Sequence, residues 1–199
     1  MTNEIKWSID QAHSEISFKV KHLMIANIKG AFKKFDASIY TVGKDFKTAE
    51  IDLSIDASSI NTGEAKRDEH LKSVDFLDSK KYKQLTFTSS TIGEAGAGGN
   101  HELWGELTIK GITKPVKLLV EFGGILKDPW RSERAGFTIT GKINRNDWGL
   151  VWNTALEAGG VMLSEEITIS CEIELTNADQ KDSKLELESA TNKKTVSNN

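Results

Sequence analysis

Period-two alternation of apolar and polar side chains recurs along this chain, and few folds accommodate it. Ile16, Phe18 and Val20 alternate with Ser17, Lys19 and Lys21, while Ile51, Leu53, Ile55 and Ala57 alternate with Asp52, Ser54 and Asp56. Successive side chains of a strand point to opposite faces, so each run describes a strand with one buried and one wet face. Further runs are Leu85 and Phe87, then Leu103, Leu107 and Ile109 sharing a face with Gly105, then Val116, Leu118, Val120 and Phe122. Phe137, Ile139 and Ile143 follow, and the cleanest run is last: Ile167, Ile169, Cys171, Ile173 and Leu175. One stretch carries a fault. Ile28, Gly30 and Phe32 keep one phase and Phe35, Ala37 and Ile39 the other, so a bulge or bend near Lys33-Lys34 is expected to restore a single buried face.

Turn residues separate the runs: Val42-Gly43-Lys44-Asp45, the glycine-rich stretch from Glu94 to Asn100, Lys110-Gly111 and Lys127-Asp128-Pro129. The stretch Ala65 to Lys72, led in by Thr62-Gly63-Glu64, reads as one short helix in a long strand-to-strand connection. About eight sequential strands with short loops predict an all-β, antiparallel barrel, with a two-sheet sandwich as the alternative for the same alternation. That barrel is expected over residues 1–176. Residues 177–199, polar and without aromatics, read as a disordered tail.

Composition excludes several functions. The 199 residues carry 26 basic and 29 acidic side chains, a net charge of −3, with no basic stripe of the kind a nucleic-acid partner requires. No run approaches the roughly 20 apolar residues of a membrane-spanning helix. The stretch Met1 to Asp10 lacks a basic segment followed by an apolar one, which makes the cytoplasm the expected compartment. A lone Cys171 forms no internal disulfide.

Catalytic signatures are thin. There is no nucleophile elbow, P-loop or dinucleotide fingerprint. His13, His22, His70 and His101 have no close ligand spacing, so neither metal nor cofactor is expected. An enzyme is not expected.

The inward-facing set is aliphatic and phenyl, and a barrel of about eight strands either packs its interior or holds one small ligand. The candidate wall of such a cavity comprises Phe18, Val20, Phe35, Leu53, Ile55, Leu71, Phe76, Phe87, Leu107, Leu118, Val120, Phe137, Ile139, Ile169 and Cys171. Trp148 and Trp152 either cap one end or pack as core. Arg67, Asp68 and His70, the densest polar cluster, read as a polar mouth or as the anchor of a long loop, with the anchor favoured. Arg145 and Asp147 read as braces of the turn ahead of Trp148. Trp104 lies on a polar phase and is the candidate for a homodimer contact.

Six motifs in order carry a resemblance. They are Trp7-Ser-Ile-Asp10 with His13-Ser14; Gly30-Ala31-Phe32; Arg67-Asp68-Glu69-His70-Leu71-Lys72-Ser73 with Phe76; Leu107 to Val116; Asp128-Pro129-Trp130 with Arg134-Ala135-Gly136-Phe137; and Asn144-Arg145-Asn146-Asp147-Trp148-Gly149. From about Lys6 to Leu175 the chain resembles the YceI-like, polyisoprenoid-binding family. That resemblance implies a lipocalin-like barrel with a long internal pocket for an amphiphilic lipid, a polyisoprenoid or isoprenoid quinone-type chain, or a fatty acid or fatty amide. It implies binding, carriage or storage without turnover. An enzyme acting at the barrel mouth and a packed interaction module are the rival readings. Lys83 stands where the family often has Pro, and Arg131 where Gly is common; both lie in loops, where an altered pocket mouth is the expected effect.

Overall fold

The structure is a computed structural model that describes residues 3–96, 98–157 and 159–178. Eleven strands are found among them: β1 (Glu4–Ile9), β2 (Glu15–His22), β3 (Ala26–Phe32), β4 (Phe35–Val42), β5 (Asp45–Asp56), β6 (Ile60–Asn61), β7 (Gln84–Ala95), β8 (His101–Ile109), β9 (Ile112–Lys127), β10 (Glu133–Asn144) and β11 (Leu163–Asn177). Helix α1 (Ala65–Lys72) and two 3₁₀ turns, Ala57–Ser59 and Arg145–Trp148, lie between them.

Antiparallel neighbours run β1-β4-β5-β7-β8-β9-β10-β11, and β11 returns to β1 through Trp7↔Asn177 and Ile9↔Leu175. The ring is therefore a closed eight-stranded barrel, as the alternation predicts. The other strands extend this ring. β2 continues β1 beyond a break at residues 10–14, β3 precedes β4 across Lys33-Lys34, and β2 pairs with both β11 and β3. The expected fault thus lies where the phase changes. Phe32 and Phe35, on either side of it, are both buried, and Ser59 holds the bend by accepting from Lys33 N at 3.1 Å and Lys34 N at 3.1 Å.

Helix α1 starts where its sequence permits. Glu64 stands in extended conformation and its carboxylate accepts from Lys66 N at 3.0 Å and Arg67 N at 2.6 Å, satisfying two of the orphan donors of the first turn. No helix among the described residues is long and apolar enough to cross a membrane. At the C-terminal end the domain boundary needs correction. Asn177 belongs to β11 and is buried, so the last strand outruns residue 176; residues 179–199 lie outside the described residues.

Gly105 shows how tightly the wall is built. A Cβ there would stand 2.4 Å from Phe87 Cζ and 2.5 Å from the Thr88 carbonyl oxygen. The ring has some freedom; the neighbouring strand's backbone has none without breaking its ladder. Gly105→Ala is expected to cost about 1–3 kcal/mol through this overpacking, read as a lower urea midpoint at unchanged slope. An unshifted midpoint would refute the close approach.

Candidate functional site: an apolar cavity

Because every barrel strand turns its apolar face inward, the interior is the place to look for a site. It holds a cavity of about 470 Å³, inside the range of roughly 300–1,000 Å³ common for small-molecule pockets. β2 contributes Ile16, Phe18 and Val20; β5 contributes Ile51, Leu53 and Ile55; β7 and β8 add Leu85, Phe87, Leu103 and Leu107. β9, β10 and β11 complete the wall with Leu118, Val120, Phe122, Phe137, Ile139, Ile169, Cys171 and Ile173. Among the described residues the polar lining is confined to Ser17, Lys44, Asp45, Lys47, His101 and Arg145.

The two ends differ. At the end where the β4–β5 and β7–β8 hairpins turn, Phe46, Ile92, His101 and Phe122 ring the cavity, and Phe122 is also 43% exposed, so the cavity reaches the surface there. Phe46 packs on Trp7, Phe122 and Phe137 with ring centroids 5.0, 5.6 and 4.8 Å away. The charges on this rim are compensated: Lys44 pairs with Glu133 at 2.5 Å and Lys47 with Glu94 at 3.1 Å. At the opposite end Leu71, Phe76, Leu77 and Leu150 form a floor beneath α1 and the segment after β10, and Arg145 lies among them.

Fourteen of the wall candidates line this cavity: Phe18, Val20, Leu53, Ile55, Leu71, Phe76, Phe87, Leu107, Leu118, Val120, Phe137, Ile139, Ile169 and Cys171. Three do not. Phe35, next to the bend, is buried in the core outside the lumen. Trp148 is 2% exposed and donates its indole N–H to the Leu107 carbonyl at 3.0 Å, so it packs as core and caps nothing. Trp152 stands behind Phe76, its ring 5.3 Å from Phe76 and 4.8 Å from His70.

The cluster Arg67, Asp68 and His70 also lies outside the cavity lining, and its side chains bond to loop atoms. Asp68 accepts from Thr62 N at 2.8 Å and Thr62 Oγ1 at 2.6 Å, while Arg67 donates to Thr62 Oγ1 at 2.7 Å and to Thr62 O at 2.9 Å. His70 Nε2 is 2.9 Å from Asp75. These bonds fasten the long connection between β6 and β7 to the helix that floors the barrel. Of the two readings, the geometry matches the anchor.

Cys171 lines the cavity, and burial pushes its thiol up to about 12, which removes it from thiolate chemistry near neutrality. Ser17 Oγ donates to the Ser170 carbonyl at 2.6 Å. One grouping of metal-ligating types occurs among the described residues, Asp10, His13 and Glu174. The Arg134 guanidinium fills it, pairing with Asp10 at 2.7 Å, with Asp128 at 2.9 Å and with Glu174. A fixed cation already neutralises those carboxylates, so the donor set does not suit a metal ion.

The same network sets an acid sensitivity. Burial raises the Asp10 carboxyl, but hydrogen bonds from Arg134, His13 and Ala12 N outweigh it and leave the group at about 2 against an ordinary 3.8. A depressed carboxyl stabilises the fold above its unfolded pKa, and that contribution fades as pH falls through the folded one. The stability difference between the wild type and Asp10→Asn is therefore expected to be full at neutral pH, to shrink below about 3.8 and to vanish only below about 2. Urea titrations across that range measure it; a difference constant with pH would contradict the assignment.

Comparison with known proteins places this barrel. The YceI-like domain profile matches residues 7–175. The chain belongs to the YceI-like family. It is 39% identical over 177 residues to a UPF0312 protein of Staphylococcus aureus (strain MSSA476), covering 88% of this chain and 98% of that one. Among solved structures it resembles the YceI protein of Campylobacter jejuni (33% identity, TM-score 0.68, 84% of this chain and 95% of that one) and BcnA of Burkholderia cenocepacia (25%, 0.69, 83% and 98%). A polyisoprenoid binding domain from Saccharophagus degradans shares the fold at 16% identity, TM-score 0.60, over 87% of this chain and 99% of that one.

Within this YceI-like barrel, the two loop positions singled out in the sequence lie outside the lining. Neither Lys83 nor Arg131 faces the cavity. Arg131 adopts φ +67°, the left-handed region in which a glycine costs less. Sequence reading missed Phe46, His101, Leu150, Leu163 and Arg145 as lining residues. Phe46 comes directly after a turn and outside the alternating run that starts at Ile51, Leu150 and Leu163 flank an irregular segment, and a cation gives no apolar signal.

Proposed function

We propose that this YceI-like protein binds an amphiphilic lipid, carrying or storing it with an isoprenoid-type chain inside the barrel. The observation that carries the reading is the cavity wall: a continuous apolar lumen with six polar lining residues among those described. A chain that buries about 400 Å² of apolar surface there gains roughly 10 kcal/mol before ordering costs, enough to hold it against water. The isoprenoid assignment draws on the Saccharophagus degradans domain with the same fold. We read the protein as a binder without turnover, because the lumen's thiol is raised to about 12, its serine hydroxyl is committed to a backbone carbonyl, its two lysines are paired with Glu133 and Glu94, and His101 Nδ1 is bonded to the Gly93 carbonyl.

Native mass spectrometry of the purified protein, followed by organic extraction and titration with farnesol and palmitic acid, tests the reading. A stoichiometric prenyl or acyl lipid, or saturable one-to-one binding of either probe, is expected. Protein that is empty and binds neither probe would overturn it, and a packed interaction barrel would take its place.

A further inference from the structure

We propose that Arg145 anchors an acidic headgroup, so that the cavity takes a single-chain lipid acid seated head-first on the barrel floor. This rests on the lipid-binding reading above and specifies its ligand class. Arg145 follows β10 directly and is only 3% exposed, yet it is one of the cavity-lining residues. Its Nε donates to the Ser164 carbonyl at 3.0 Å, and its Nη1 donates to the carbonyls of Trp152, at 2.9 Å, and Leu150. Nη2 makes no hydrogen bond to any described residue.

No described carboxylate forms an ion pair with this cation. Glu165, the nearest acidic influence, accepts from Asn144 at 3.4 Å, and Glu166 pairs with Lys142 at 2.9 Å. A guanidinium stays charged in proteins, and an uncompensated buried charge costs several kcal/mol even after relaxation. Three carbonyls solvate part of it. Burial still lowers the Arg145 pKa, the mark of a charge short of compensation.

The other described lining residues at this floor are apolar, among them Leu71, Phe76, Leu150 and Leu163. An anionic oxygen meeting Nη2 would supply the missing counter-charge through a charge-assisted hydrogen bond. The rim is the poorer anchor, since Lys44 and Lys47 already hold Glu133 and Glu94. From the floor the tail extends towards Phe46 and Phe122. Twelve residues of β10, at about 3.3 Å each and tilted by about 40°, give the lumen roughly 30 Å of height.

The experiment compares matched acid and ester probes on the wild-type protein: farnesoic acid against methyl farnesoate, and palmitic acid against methyl palmitate, followed by intrinsic tryptophan fluorescence. The acids are expected to bind about tenfold tighter or more, a difference of about 1.4 kcal/mol. In Arg145→Gln the acid-to-ester ratio is expected to fall to about one, and Arg145→Lys to keep part of the preference. Equal wild-type affinity for acid and ester overturns the anchor while leaving the lipid reading standing. Failure of all four probes to bind overturns both. Should Arg145→Gln not fold, because its bonds also hold the segment after β10, the wild-type comparison decides alone.

Discussion

Replacing Val120 with tryptophan is expected to abolish lipid binding and leave the barrel folded. Val120 lies on β9 with Ile139 of β10 and His101 of β8 as its cross-strand partners, and all three line the lumen. Adding a large side chain to a packed interior normally costs about 1–3 kcal/mol because neighbours must move. Here the indole projects into the void of about 470 Å³, so the folded state accommodates it and the ligand does not. We expect affinity for farnesol or palmitic acid to fall at least about 100-fold, roughly 3 kcal/mol, with a thermal midpoint within a few degrees of the wild type. Unchanged affinity in the folded variant would remove Val120 from the ligand's path.

Trp148→Ala is expected to have the opposite profile, a large loss of stability. The side chain is 2% exposed and belongs to the main core with Leu107, Ile109 and Ile143. Its truncation combines lost burial with an unfilled cavity, about 3–5 kcal/mol for a residue of this size, and also removes the donor to the Leu107 carbonyl. Against a total stability of about 5–15 kcal/mol, that predicts a midpoint lowered by roughly 6–20 °C. Trp148→Phe, which restores most of the volume without the N–H, should recover about half the loss. Urea unfolding of the three proteins measures the series. A Trp148→Ala protein as stable as the wild type would refute the core assignment.

These two residues show which parts of the site could be read from sequence. Val120 was legible because a strand's alternation assigns its face, and barrel closure converts one face into one lumen. The same rule placed Phe18, Leu53, Phe87 and Ile169 without further information. Trp148 and Trp152 lie in irregular backbone, where no period assigns a face, so only tertiary contacts separate core from cap. Phe35 misled for a related reason: it has the inward phase, but at a bend the buried side of a strand is not the lumen. Arg145 was legible as a turn brace and opaque as a lumen residue, because a buried cation's surroundings depend on carbonyls 5, 7 and 19 residues away. The bend at Lys33-Lys34 was readable because a phase slip must be absorbed somewhere.

The seam between β1 and β11 joins Trp7 to Asn177, nearly opposite ends of the described chain. A nascent polypeptide lacking its last strand has no lumen at all, only an open sheet with a greasy concave face. Contacts this distant in sequence close late, because the loop entropy must be overcome before they form. On the proposed lipid-binding reading, loading during synthesis is confined to the interval after β11 has emerged from the ribosome, and until then the concave face stands open to chaperones, membranes and other nascent chains.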